Sequence, residues 1–189
     1  MPIFQAAVST QVMALSLLLA SAVFTDLRSR RIPNRLVLAG LATAPLLHLG
    51  ALYLGLPSLA SATWWSPFTG LLTGFGLLLP FYLLRATGAG DVKLMAMVGA
   101  FIGAPTVVTA TLYTLVAGGV LSLLFMFGRG VAAQTLANVR YLLTDLAMRA
   151  GSGQGARLAP LQTTAARLPY AVAIAVGTGA ALIWPLGIW

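Results

Sequence analysis

Only three side chains in this sequence are acidic, Asp26, Asp91 and Asp145, and they are joined by one histidine, His48, and no cysteine. That inventory rules out disulfides, cysteine nucleophiles and zinc sites built on cysteine or several histidines. Carboxylate chemistry remains. Two carboxylates that share a site cannot both ionise easily, so one keeps its proton near neutral pH. The ionised partner then acts as base towards water and the protonated one as acid towards a carbonyl. Such a pair hydrolyses a peptide bond with no metal and no covalent nucleophile.

Each acid also has a plainer reading. Asp145 has Arg149 four residues on, the spacing of a solvated ion pair on a helix. Asp91 follows Gly88-Ala89-Gly90, where an aspartate can simply cap a helix and the glycines can be only a turn. Asp26 stands at the end of an apolar run with Arg28 and Arg30 as possible ion-pair partners. A negative charge at a helix C-terminus opposes the helix dipole, and acids at membrane depth are costly enough to point to function. Asp26 and Asp91 are therefore the pair to place.

The elements that must position them are membrane helices. The chain has 189 residues, 59% hydrophobic and 7% charged, against about a quarter charged in soluble domains. Six apolar runs, at about 7–25, 36–54, 66–84, 92–104, 106–127 and 168–187, predict an all-α polytopic membrane bundle of about six transmembrane helices. A single helix over 92–127 would be about 54 Å long, so Gly103-Ala104-Pro105 is expected to turn the chain. The first run lacks the basic segment of a cleaved signal peptide. Residues 1–189 form one membrane-embedded domain in this reading. Within it, the stretch at about 128–167 is a cytoplasmic amphipathic and linker segment, with Leu136, Val139, Leu142, Leu143 and Leu146 at helical spacing.

The net charge of +8 comes from eleven basic residues, which fall at 28–35, 85–93 and 129–167. Six spans place all of them on one side, which the positive-inside rule makes cytoplasmic, with both termini outside. Membrane orientation thus accounts for the basic balance, and no nucleic-acid partner is expected. The same topology brings the end of the first span and the start of the fourth, hence Asp26 and Asp91, to one cytoplasmic face. Gly70-x-x-x-Gly74 and Gly99-x-x-x-Gly103 predict close helix packing. His48 lies too deep in the second span to serve the pair and is expected to be neutral and hydrogen-bonded. Trp64, Trp65, Trp184 and Trp189 fall near the outer ends of spans, where lipid interfaces favour them.

Gly88-Ala89-Gly90-Asp91-x-Lys93 resembles the G-x-G-D motif of the type IV prepilin peptidases. Asp26-Leu-Arg-Ser-Arg-Arg-Ile32-Pro33-Asn34 resembles the segment carrying their first aspartate, and Pro169-Tyr170 with its neighbours resembles the start of the last helix in short members of the TadV/CpaA type. The resemblance covers essentially the whole chain. It implies a membrane aspartic endopeptidase of the bacterial inner (cytoplasmic) membrane that removes the leader peptide of pilin-like precursors at the cytoplasmic face, with no cofactor and no metal. Asp26 and Asp91 would be the catalytic dyad. Gly88 and Gly90 would shape the loop before Asp91, and Ile32-Pro33-Asn34 would start the second helix. Lys93 would either act on an aspartate or mark the membrane boundary. Longer members carry a cytoplasmic domain between the first two spans, often with zinc-binding cysteines, associated with N-methylation of the new pilin terminus; here that interval is about ten residues without cysteine. Outside the resemblance, the acids also fit a small ion-coupled transporter or channel, or a non-catalytic pilus-assembly subunit. Their place at the membrane edge, away from mid-bilayer, favours the peptidase.

Overall fold

The computed structural model describes residues 2–84, 87–128 and 169–186, with Ala137, Arg140, Thr144 and Met148 between them. Among these residues the fold is all-α: α1 (Pro2–Ser29), α2 (Asn34–Tyr53), α3 (Ser66–Leu83), α4 (Ala89–Gly128) and α5 (Tyr170–Ile183). The first four are long and apolar enough to cross a membrane. Helix α5 is equally apolar but has 14 residues, about 21 Å of helix. The chain divides into two compact units, Met1–Gly118 with Pro169–Trp189, and Gly119–Leu168. Asp26, Asp91 and His48 belong to the first. Most of the expected amphipathic segment, Asp145 and Arg149 included, lies outside the described residues.

The burial pattern is that of a protein solvated by lipid. Large apolar side chains such as Leu17, Phe24, Leu46 and Leu72 point outward, while alanines and glycines line many helix contacts. In water that exposure would be an aggregation hazard; lipid tails accept it, and small residues then let helix backbones approach. Several hydroxyls within the helices return to their own backbone. Ser21, Thr25 and Ser29, four positions apart on α1, each bond the carbonyl four residues back at 2.8–2.9 Å, so no polar group on that face needs water.

The expected turn after residue 102 is present as a break inside α4. Gly103 has φ 77° and ψ 169°, a conformation open to glycine and strained for other residues. The chain reverses there. A Cβ placed on Gly99 would stand 3.3 Å from Val107 Cγ2, whereas a straight helix would separate those positions by about 12 Å. The two predicted spans are thus two limbs of one broken element. The paired glycine motifs meet each other: Gly70 of α3 lies against the backbone of Gly99, and Gly74 against that of Met95. Any side chain at Gly70 or Gly99 would collide with main chain, which cannot give way as a side-chain tip can.

The segment between α2 and α3 is pinned into the bundle. Helix α2 ends with Gly55 at φ 65°, and Leu56 N–H donates to Ala51 O at 2.8 Å while Gly55 N–H donates to Leu52 O at 3.0 Å, the paired bonds of a Schellman ending. His48, 2% exposed, then contacts Ser58 Oγ through Nδ1 at 2.6 Å and the Thr63 carbonyl through Nε2 at 2.8 Å. A carbonyl only accepts, so Nε2 carries a hydrogen. Gln11 Oε1 on α1 accepts from Leu59 N–H at 2.9 Å and lies 3.2 Å from Ser58 Oγ. Histidine, glutamine and serine therefore fasten α1, α2 and this loop together.

Candidate active site

Asp26 sits in the last turn of α1, one turn deeper in helix than the apolar run alone suggests, because the hydroxyl ladder carries the helix on to Ser29. It is 7% exposed. Among the described residues its partner is not an arginine: Oδ2 accepts from the backbone N–H of Ala171 at 3.1 Å. Ala171 is the second residue of α5, so its N–H is among the four that a helix start leaves unpaired. The positive end of the α5 dipole faces the carboxylate and offsets the unfavourable C-terminal end of α1. This resolves why an acid stands where α1 itself would prefer a base.

Asp91 is the third residue of α4. It is not the capping residue itself; its side chain reaches back, and Oδ2 accepts from Gly88 N–H at 2.9 Å while its own N–H donates to Gly88 O at 3.1 Å. Gly88 leaves room for this. A Cβ there would stand 3.2 Å from Asp91 Oδ2, closer than ordinary contact. At Gly90 a Cβ would meet Ile32 at 3.4 Å, an ordinary packing distance. Of the two motif glycines, Gly88 is thus the one that the carboxylate itself requires. Asp26 and Asp91 lie close enough for the charge of the first to act on the second.

The remaining motif residues gather around this end. Ile32 packs on Gly90 and on the core. Pro33 precedes α2 as its N-cap at φ −64°, so the helix proper begins at Asn34 and the proline stands just outside the first turn. Lys93 Nζ donates to Asn34 Oδ1 at 3.1 Å, tying the start of α4 to the start of α2; that bond gives the lysine a fastening role between two motif blocks. Pro169 caps α5 at φ −72°. Tyr170 is half-buried, its ring filling the place that a side chain at Gly118 would take. Among the described residues no three acids, histidines or cysteines gather as a metal site would need.

Sequence reasoning missed three participants. The Ala171 donor is a backbone group, silent in any side-chain pattern. In the sequence Gly118 is half of a Gly118-Gly119 pair, which carries no sign of what it accommodates. Thr87, next to the glycine loop, has its Oγ1 buried without a partner among the described residues.

Residues 13–123 match the model of the type IV leader peptidase family. That is more than half of the chain. The chain belongs to the type IV leader peptidase family. No curated protein and no solved structure matches it. The leader peptidase match runs from α1 into α4 and spans both Asp26 and Asp91; α5, with Tyr170 and the Ala171 donor, lies beyond it. Membership makes the chain a leader-peptidase-like protease in general terms, set in a bundle of membrane helices.

Proposed function

We propose that this protein is an aspartic endopeptidase that cleaves the leader of type IV prepilin-like precursors, with Asp26 and Asp91 as its dyad. What supports the reading is that two carboxylates from distant segments are each held by a backbone N–H, each keep acceptor capacity, and lie within reach of one another's charge. One carboxylate takes a proton from water as the water oxygen bonds to the scissile carbonyl carbon. The other gives its proton to the carbonyl oxygen. The tetrahedral intermediate then collapses: the C–N bond breaks, the nitrogen leaves protonated, and the pair returns to its starting protonation. The precursor's hydrophobic helix rests in lipid against the outward-facing leucines and phenylalanines, which leaves its leader at the aspartate end.

By the positive-inside rule that end faces the cytoplasm of a bacterial inner membrane, both termini are outside, and residues 1–189 work as one membrane-embedded domain. Neither metal nor organic cofactor enters the chemistry. The test is cleavage by the purified protein in liposomes, with a precursor that carries a short leader ahead of a hydrophobic helix and with chelator in excess. One cut between leader and helix is expected at an undiminished rate. Loss of cleavage in chelator with recovery on adding zinc would overturn the metal-free mechanism, and no cut under any condition would overturn the peptidase itself.

A further inference from the structure

Tyr170 occupies a place that its neighbours have prepared. On one side, its backbone continues into Ala171, whose N–H holds Asp26. On the other, its ring lies where Gly118 has no side chain: a Cβ there would stand 2.8 Å from Cε2 and 3.0 Å from the hydroxyl oxygen. Alanine is far the better helix residue, by about 1 kcal/mol, so a mid-helix glycine at this point costs stability and gives the ring its slot. The charge of Asp91 also reaches Tyr170. One residue is thus tied to the first aspartate through the chain and to the second through space.

Its hydroxyl is uncommitted. Among the described residues it has no hydrogen-bond partner, whereas Tyr113 spends its own on the Trp184 carbonyl at 3.1 Å. The phenol lies within reach of the Asp91 charge, one residue before the N–H that holds Asp26, and among the described residues it is bonded to neither carboxylate. We propose that Tyr170 is a third member of the site, whose hydroxyl donates a hydrogen bond to the scissile carbonyl oxygen as negative charge builds on it. The inference rests on the peptidase reading. Tyr170 keeps its proton throughout; the proton that the oxygen gains comes from the acidic aspartate, and the phenol supplies only a preorganised donor of the kind that stabilises such intermediates.

Tyr170→Phe is the decisive variant, because it removes one oxygen and leaves the ring in the Gly118 slot. In the liposome assay it is expected to lower kcat about 100-fold, the usual cost of losing one such donor, with KM within about threefold and thermal unfolding unchanged, since a donor that acts only on the developing charge adds nothing to ground-state binding. Gly118→Val, which expels the ring, should lower kcat comparably, and adding Tyr170→Phe to it should cost little more. A Tyr170→Phe enzyme with kcat within threefold of wild type overturns the proposal. So does one whose unfolding midpoint falls in step with its activity, since the hydroxyl would then serve the fold. The peptidase reading fails separately, on absence of cleavage by the wild-type chain or on full activity of Asp91→Asn.

Discussion

The two ends of the bundle each hold polar groups inside an apolar protein, and they treat them in opposite ways. Gln11 and Asp26 lie on the same helix, 15 residues or about 22 Å apart. Around Gln11, both nitrogens of His48 are engaged, Ser58 bridges histidine and glutamine, and Leu59 N–H completes the glutamine oxygen. Around Asp26, among the described residues, the carboxylates each take one backbone N–H, no hydrogen bond engages the Tyr170 hydroxyl, and Thr87 Oγ1 is buried without a partner. A buried polar group without its full set of bonds costs about 1–3 kcal/mol. A fold that satisfies one cluster and leaves the other short has spent that stability unevenly. The lesson is that the two clusters are engaged differently: both ring nitrogens of His48 and the Gln11 oxygen are taken up in fastening, whereas each aspartate keeps acceptor capacity for a substrate.

The comparison breaks first at the aspartates. Asp26→Asn and Asp91→Asn each retain an oxygen that can accept from Ala171 or Gly88, so the local fold should persist, but neither can exchange a proton. Cleavage measured on equal amounts of membrane-inserted protein should fall by about 10²–10⁴-fold for each. At the other end the effect should be smaller and of another kind. His48→Leu keeps the volume and strands Ser58 and the Thr63 carbonyl. It should destabilise the protein by about 1–3 kcal/mol, seen as a lower unfolding midpoint in detergent, with cleavage per folded molecule unchanged. A His48→Leu protein of full stability and lost activity would mean that the two ends had been assigned the wrong way round.

The sequence made much of this legible, for definite reasons. Hydropathy located the helices because lipid demands long apolar runs, and the glycine at 103 with Pro105 was readable as a turn because few residues tolerate that backbone. The glycine motifs of α3 and α4 announced close packing, and they pack on each other. The aspartates were legible because acids are so scarce here that each needs a reason. The rest depended on facts that no local pattern carries. That Asp26 is held by the start of α5 joins residues 145 positions apart through a main-chain N–H. The continuation of α1 to Ser29 rests on hydroxyls bonding backward along the helix. The slot at Gly118 exists only once α5 has folded against it. Nothing in the sequence around Gln11 announces that Ser58 and Leu59 stand beside it.

The most direct test of the paired-carboxylate site is a double-mutant cycle on precursor cleavage. Wild type, Asp26→Asn, Asp91→Asn and the double variant would be compared in membranes holding equal amounts of each, with conversion of precursor to mature protein followed to the limit of detection. Groups that act as one unit fail together. The double variant is therefore expected to cleave no more slowly than the slower single variant, both singles being severely impaired. Losses that multiply in the double variant, or either single variant cleaving near the wild-type rate, would contradict the dyad.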